Sequence, residues 1–245
     1  LDETNGWLTN ALAQAYATRG DDVDVVVLDW SSDGPAFRMT MGDGRIDILN
    51  IPALGLMPTW LPRKLRLLGK WLLASYLAVG AARRAFAMNE YDVMLGFSPA
   101  IATIGLTNYF ARRTGKRVLI YWDFFPTHQC QLGMVPFAKL LEPLGRKHEL
   151  AAIAQLNGVG CMSAANIAFF KRYFPEYRGQ VGIVPIWGPK DALSLPAHET
   201  LRQQFGFAAD SVVAVFGGQL TRGRGLEQLL ALMTQLEATL PHLRC

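Results

Sequence analysis

The chain has 245 residues, of which 51% are hydrophobic and 18% are charged. This composition excludes a disordered chain and provides for a sizeable core in one or two domains. The net charge of +4 does not distinguish nucleic acid, anionic lipid or a phosphorylated substrate as a partner. Cys130, Cys161 and Cys245 lie far apart, without metal-ligand spacing, so we expect no disulfide framework, no metal site and a reducing cytoplasm.

Apolar runs and helical periodicity alternate along the first 185 residues. A helix that begins near Trp7 stops at Gly20, and residues 31–52 combine turn signals with the extended segment RIDILNIP. The alternation is typical of right-handed βαβ units in a parallel sheet flanked by helices. We predict helices over 7–19, 101–114, 137–156 and 164–173, and strands over 24–30, 92–97, 117–122, 158–163 and 181–185.

The two ends of the sequence lack elements that a βα protein normally has. No strand precedes the first helix, so either the sheet begins with the strand at 24–30 or a preceding strand has been lost. The first residue is Leu1 rather than methionine, no signal peptide is visible, and the sequence stops just after a helix. We therefore expect both ends to be incomplete.

The stretch Thr59–Met88 contains basic residues and leucines but no acidic residue. Its apolar run WLLASYLAVGAA is shorter than a membrane span needs. A helix lying on an anionic membrane face fits the pattern, and so does a core helix with solvated arginines. Nucleic acid is disfavoured, because no aromatic stacking platform accompanies the charges. The predicted membrane contacts are Arg63, Lys64, Arg66 and Lys70.

Several polar side chains follow predicted strands, where ligands bind in open α/β sheets. Asp123 is a candidate general base or sugar ligand, or a turn or cap residue. His128 is a site histidine or a surface histidine, and Ser163 is placed to cap the helix at 164–173. Trp187 can stack on a base or sugar, or pack under the domain edge. The sequence contains no nucleophile elbow, HExxH, Walker lysine motif or complete GxGxxG.

The stretch Ser211–Met233 combines a predicted strand, a glycine-rich turn and a helix. Val212–Phe216 is uninterrupted by polar residues and predicts a buried parallel strand, which ends at Gly217 and Gly218. Arg222 and Arg224 follow in the turn. Backbone N–H groups at a helix start, glycines that allow close approach, and guanidinium forks suit a phosphate or diphosphate. A structural βα turn with solvated arginines is the alternative.

Taken in order, these segments resemble glycosyltransferase family 4, which has the GT-B fold. ATRGDDVDVVV resembles the family's first helix-to-strand passage, and DVMLGFSPA and KRVLIYWDFFP resemble its next two strands. GVGCMSAANIAFFKRYFP resembles the strand with a terminal serine that precedes the cleft. VGIVPIWGP resembles the crossing into the second domain, and FGGQLTRGRGLEQLLAL resembles that domain's first strand, diphosphate turn and helix.

The resemblance implies two Rossmann-like domains, an N-terminal one for the acceptor and a C-terminal one for a nucleotide-sugar. Gln219 stands where the family usually carries an arginine, Arg224 where it carries a lysine, and Trp122 where a histidine often precedes the aspartate. The resemblance also implies that Asp123 is the catalytic residue. The implied donor contacts are Gly217, Gly218, Gln219, Arg222 and Arg224, and the implied acceptor contacts are Gly6, Trp7 and Ser163.

We accordingly expect an acceptor-side domain over 1–185, a connection over 186–210, and the beginning of a donor domain over 211–245. The expected function is transfer of a sugar, with retention of configuration, to a saccharide or lipid-linked acceptor at the inner membrane face. No cofactor, metal or nucleic acid is expected. The family's later acidic donor motif would lie beyond Cys245, so this stretch alone is expected to be inactive. The alternatives are a sugar-nucleotide epimerase and a non-catalytic membrane-surface module.

Overall fold

The structure is a computed structural model. It describes residues 7–30, 32–122, 124, 127–131, 133, 137–187, 202–217, 225–236, 239–240 and 243–244. The chain divides into two compact units, Leu1–Gly188 and Pro189–Cys245. The first, called unit 1, contains two sheets and six helices among its described residues.

The first sheet of unit 1 contains three strands: β1 (Val23–Asp29), β2 (Phe37–Met41) and β3 (Ile46–Pro52). Helix α1 (Trp7–Arg19) precedes it and ends where Gly20 takes a positive φ of 102°, as its glycine stop predicts. β3 lies in the middle, parallel to β1 and antiparallel to β2. The hairpin between β2 and β3 was not predicted, because the strand FRMTM is largely exposed and has no apolar run.

The second sheet contains four strands that are parallel, as predicted, and lie in sequence order: β4 (Tyr91–Phe97), β5 (Thr114–Tyr121), β6 (Gly158–Cys161) and β7 (Gln180–Ile183). The intervening helices are α3 (Ala100–Ala111), α4 (Thr127–Gln131), α5 (Ala138–Ile153) and α6 (Ala164–Tyr173). Long apolar runs therefore located the parallel strands to within about three residues, whereas the short α4 was not predicted.

Helices cover the two faces of the first sheet differently. Ile46 and Ile48 pack with Ala13 of α1, whereas Leu49 and Ile51 pack with Ala78 of α2 (Arg63–Phe86). Because successive side chains of a strand point to opposite faces, α1 and α2 lie on opposite faces of this sheet. Helices α3, α5 and α6 cover one face of the second sheet in a core that includes Leu119, Val159 and Phe170.

Helices α2 and α3 are joined by a close contact between small residues. The α2 face toward the core contains Ala74, Ser75, Ala78 and Ala82, each at most 2% exposed. A Cβ at Gly105 of α3 would lie 2.6 Å from the Ser75 carbonyl carbon, and the Gly105 N–H donates to Ser75 Oγ at 3.1 Å. One face of α2 is therefore a core face, as one of the two interpretations of Thr59–Met88 required.

The second unit is described over short stretches: β8 (Val212–Val213), β9 (Leu243–Arg244) and α7 (Leu226–Leu236). β8 and β9 pair in parallel, and α7 confirms the predicted helix after the turn. The prediction of a buried strand over Val212–Phe216 is wrong in burial, since Val212 is 64% and Val215 84% exposed. The physical reason is that, in the described part, β8 spans only Val212–Val213 and pairs with one strand of two residues.

Candidate functional site

The carboxyl ends of β4 to β7 form one edge of the second sheet, called the carboxyl edge. Because the four strands are parallel, Phe97, Tyr121, Cys161 and Ile183 end there side by side. Backbone hydrogen bonds continue the arrangement beyond the strands, from Ser98 N to Ile120 O and from Val184 N to Cys161 O. The segments after these strands are therefore held together where open α/β sheets bind ligands.

Three aromatic side chains from three segments meet at the carboxyl edge, and we call them the aromatic cluster: Phe97, Trp122 and Trp187. The indole rings of Trp122 and Trp187 lie 4.6 Å apart, and Phe97 lies 6.5 Å and 6.2 Å from them in edge-to-face geometry. All three are half-buried, so each keeps an accessible portion. The cluster offers an apolar surface at the carboxyl edge.

Hydrogen bonds fix both indoles of the aromatic cluster. Trp122 Nε1 donates to Val184 O at 2.8 Å, and Trp187 Nε1 donates to Leu8 O at 2.7 Å. Trp187 therefore packs against its neighbours and ties the start of α1 to the carboxyl edge. The sequence raised packing as one of two alternatives for Trp187, but it did not place Phe97 beside it. In the sequence, Phe97 was identified only as the end of a predicted strand. Its partners, Trp122 and Trp187, come from distant segments.

Ser163 is the N-cap of α6, as predicted. Its backbone is extended, and its Oγ accepts a hydrogen bond from the Asn166 backbone N–H at 3.3 Å. The Ser163 hydroxyl also donates a hydrogen bond to Asn166 Oδ1 at 2.8 Å. Ser163 remains half-buried at the carboxyl edge, two residues after Cys161. The Ser163 hydroxyl thus caps α6. Its half-buried position at the carboxyl edge would also allow contact with a ligand.

A buried polar pair lies beneath the carboxyl edge. Tyr121, fully buried at the end of β5, donates its hydroxyl to Glu149 Oε1 of α5 at 2.5 Å. Cys161, also fully buried, has a pKa raised to about 11 by burial. These three groups lie beneath the edge and out of contact with solvent. Neither Tyr121 nor Glu149 was singled out from the sequence, because their pairing joins elements 28 residues apart.

Most of the predicted donor, acceptor and catalytic residues lie outside the described residues. These are Gly6, Asp123, Gly218, Gln219, Arg222 and Arg224. The side chains of Trp7 and His128 lie outside them as well, although their backbones belong to α1 and α4. Gly217 is described, is exposed, and has no described atom within 4 Å of a Cβ built on it. Within the described ranges, no group of three or more acidic, histidine or cysteine residues is arranged to hold a metal ion.

The four predicted membrane contacts fall into two pairs. Arg63 and Lys64, in the first turn of α2, are exposed. Arg66 donates from a guanidinium N–H to Leu54 O at 3.1 Å, and Lys70 Nζ donates to Trp30 O at 2.7 Å. Both of these are half-buried, so they anchor α2 to the rest of unit 1.

The outer face of α2 is apolar and open. Leu65, Leu73, Tyr76 and Leu77 are between 43% and 53% exposed. Among the described helices, none is by itself both long and apolar enough to cross a bilayer. Only the two arms of α2, Arg63–Trp71 and Leu73–Phe86, bent by 69°, meet that requirement when taken together, on length and composition alone.

Solved structures with a similar fold identify the fold class of this chain. A sucrose-phosphate synthase from Thermosynechococcus elongatus aligns with 93% of the chain at a TM-score of 0.67 and 18% identity. A trehalose-6-phosphate protein from E. coli, bound with UDP-2-fluoro-glucose, aligns with 100% of the chain at a TM-score of 0.63 and 12% identity. The fold class is GT-B, as predicted.

The chain spans 53% and 61% of the length of those two proteins. No protein-family profile matches the chain, and no curated protein matches its sequence. The likeness therefore concerns the fold, and the identities are too low to transfer an activity.

Proposed function

We propose that the chain is part of a glycosyltransferase that moves a sugar from a nucleotide-sugar to an acceptor. The main support is the GT-B fold shared over 93% of the chain with a sucrose-phosphate synthase. A similar protein was solved with bound UDP-2-fluoro-glucose, which is a nucleotide-sugar analogue. Membership of family 4 and retention of configuration belong to the same proposal and rest on the resemblance of the sequence segments.

In this proposal the carboxyl edge of unit 1 holds the acceptor. The aromatic cluster gives an apolar surface for the face of a sugar ring, and Ser163 adds a polar group at the same edge. Asp123, which directly follows Trp122, acts as the catalytic group or binds sugar hydroxyls. Gly6 and Trp7 directly precede Leu8, whose carbonyl accepts a hydrogen bond from Trp187 of the aromatic cluster. Their closeness to Leu8 in sequence supports them as acceptor contacts.

The donor diphosphate is assigned to the turn between β8 and α7. Arg222 and Arg224 supply guanidinium groups, and Gly217, Gly218 and Gln219 supply backbone and a polar side chain. Positive groups aimed at a leaving diphosphate stabilise the charge that develops on it, without a metal. The proposed boundaries are an acceptor-side domain over 1–185, a connection over 186–210 and a donor part over 211–245.

Nucleotide binding tests the donor assignment. We expect UDP or GDP to bind the chain in calorimetry, and the Arg222→Ala, Arg224→Ala double variant to bind about 100-fold more weakly or worse, because each charged hydrogen bond contributes about 1.5–3 kcal/mol. The matched control is Lys171→Ala, Arg172→Ala, which removes the same charge from the exposed end of α6. Equal loss in both variants, or binding unaffected by the first, would refute the site.

We further propose that the acceptor is lipid-linked and that the protein works at the inner, cytoplasmic face of a membrane. Arg63 and Lys64 supply exposed positive charge next to the open apolar face of α2 around Leu65, Leu73 and Leu77. Such a combination binds anionic lipid surfaces. Arg66 and Lys70 contribute by fixing the orientation of α2.

Vesicle sedimentation tests the membrane assignment. Each basic residue near an anionic surface contributes about 1 kcal/mol, so Arg63→Glu, Lys64→Glu should weaken binding to phosphatidylglycerol-containing vesicles by about tenfold or more. Arg83→Glu, Arg84→Glu makes the same charge change at the exposed far end of α2 and serves as the control. Equal binding of both variants to these vesicles, or equal binding of the unchanged chain to neutral vesicles, would contradict the proposal.

A further inference from the structure

Contacts on two sides hold the segment that follows β5. The Trp122 indole donates its N–H to Val184 O at 2.8 Å, at the carboxyl edge. The Phe124 ring lies 5.0 Å from the ring of Tyr121, in edge-to-face geometry. Asp123 lies between Trp122 and Phe124 in the sequence. Because consecutive Cα atoms are a fixed distance apart, contacts at both neighbours restrict where an intervening residue can lie.

Tyr121 connects this segment to the helical layer. It is the last residue of β5, is fully buried, and belongs to the core that α3, α5 and α6 form over the second sheet. Its ring makes edge-to-face contacts with Phe170 at 5.4 Å and with Phe174 at 6.3 Å, in addition to the contact with Phe124. The next residue, Trp122, contacts the other members of the aromatic cluster instead. Two consecutive side chains therefore anchor the end of β5 in two directions.

One hydrogen bond fixes Tyr121 more closely than these ring contacts do. Its hydroxyl donates to Glu149 Oε1 of α5 at 2.5 Å, and Glu149 is fully buried. Edge-to-face aromatic pairs occur over centroid distances of about 4.5–7 Å, so they leave the ring room to slide. The length of an O–H···O hydrogen bond varies by only about 0.5 Å, and the bond has a preferred direction. This bond therefore sets the position of the β5 end relative to α5.

Helix α5 is itself fixed against its neighbours. Ile153, one turn after Glu149, is buried in the same core. On the α6 side, Arg146 donates to the Tyr173 carbonyl at 2.8 Å and to Glu176 Oε1 at 2.7 Å. The acceptor of the Tyr121 hydroxyl thus has a defined place beneath the carboxyl edge.

The chemistry of the pair favours a positioning role over a packing role. Burying a carboxyl group costs free energy that its hydrogen bonds offset only in part. Apolar side chains of similar volume would fill the same space without that cost. The rings of Phe124, Phe170 and Phe174 already surround Tyr121. The hydroxyl and the carboxyl group therefore add direction and distance rather than contact area.

We propose that Tyr121 and Glu149 are positioning residues for the segment 122–124. Their hydrogen bond holds the end of β5 in place and thereby lets the Trp122 indole reach its acceptor. The segment contains Asp123, so the inference rests on the proposed function for the role of that residue. The placement of the segment is tested without sugar or nucleotide, so its failure is distinguishable from a failure of the proposed function.

Solvent exchange of the Trp122 indole N–H, measured by nuclear magnetic resonance, reports that placement. The chain has six tryptophans, and a Trp122→Phe variant identifies the resonance. Tyr121→Phe and Glu149→Leu each remove the bond and should speed exchange of this proton about tenfold or more, because the indole loses part of its protection. Glu149→Gln keeps an acceptor oxygen and should exchange within about threefold of the original chain.

The double variant Tyr121→Phe, Glu149→Leu separates stability from placement. Each single variant removes one end of the buried bond and lowers stability, whereas replacing both partners by apolar groups restores much of it. We expect the double variant to regain stability in urea denaturation while its indole proton still exchanges about tenfold faster than that of the original chain. A merely structural pair would recover both properties together.

Ile48→Val is the remote control, since Ile48 is 1% exposed in the core of the first sheet and the change lowers stability without touching the pair. Fast indole exchange in the single and double variants, with near-original exchange in Glu149→Gln and Ile48→Val, supports the proposal. Recovery of slow exchange in the double variant overturns it, as does unchanged exchange in the single variants or equal acceleration in Ile48→Val. If a single variant does not fold, the comparison of the double variant with Glu149→Gln decides by the same criterion.

Discussion

Ser163 stabilises the first turn of α6 and also lies at the carboxyl edge of the second sheet. Its Oγ satisfies the Asn166 N–H, one of the backbone donors that a helix start leaves without an intrahelical partner. The cap was predictable because it depends on local spacing. The aromatic cluster was not, since Phe97, Trp122 and Trp187 come from segments far apart in sequence and meet only through the parallel pairing of the strands.

Replacing Ser163 by alanine should lower the free energy of unfolding by about 1 kcal/mol, because the cap bond is lost. Urea denaturation measures the change. Ser163→Asp, which can also cap and places a negative charge at a helix start, should restore most of the loss. An alanine variant as stable as the original chain would show that the cap contributes nothing.

Helix α2 has a buried face of small residues and an exposed apolar face, which its sequence alone did not separate. Small residues at Ala74, Ala78 and Ala82 pack against the core, while Leu73 and Leu77 stay open on the other side. The sequence showed the leucines but not which of them would face outward, because that depends on where α3 approaches. Strand β2 was missed for a related reason: its pairing with β3 is fixed by the turn at Gly42–Gly44, not by an apolar pattern.

Gly105→Ala should destabilise unit 1 by about 2 kcal/mol or more, because the added Cβ meets the α2 backbone at 2.6 Å and forces the helices apart. In an isolated helix the same change would stabilise by about 1 kcal/mol, so the sign of the effect reports the contact. Gly80→Ala in α2 is the matched control, since a Cβ there would meet only Arg84 Nη1, at an ordinary contact distance of 3.8 Å. Thermal or urea unfolding measures both, and a stabilised Gly105→Ala variant would contradict the close approach.

At the scale of the whole molecule, the parallel strands of unit 1 and the helices that cover them were predictable from the sequence. Continuous apolar runs such as Leu119–Tyr121 and Gly158–Cys161 are sufficient signals for buried strands. The separation into two sheets was not predictable in this way, because pairing between strands is non-local. Strand β6 also buries the Cys161 thiol, which is neutral at ordinary pH.

The stability of unit 1 should fall as pH rises above about 9. Burial raises the pKa of Cys161 from 9.0 to about 11 and that of Tyr177 from 10.0 to about 12. The unfolded chain releases these protons first, so the stabilisation is complete below about pH 9 and is lost as pH passes through the folded values. Urea midpoints at pH 8 and pH 10.5 measure the fall.

A Tyr177→Phe variant is the control for this pH dependence. It removes one of the ionising groups, together with the hydrogen bond from Tyr177 to Leu156 O at 3.2 Å. We expect it to be less stable at pH 8 but to lose less between the two pH values. An equal loss in both proteins would mean that Tyr177 ionises alike in the folded and unfolded chain.

Two pairs of tryptophans give the protein an optical signature of its own. Trp122 and Trp187 lie 4.6 Å apart at an angle of 57°, and Trp30 and Trp71 stack at 4.7 Å with nearly parallel rings. Indoles this close couple their electronic transitions and produce paired bands in far-ultraviolet circular dichroism. One pair belongs to the carboxyl edge and the other includes a residue of α2, so a ligand at the carboxyl edge and a contact at α2 would each perturb a different chromophore.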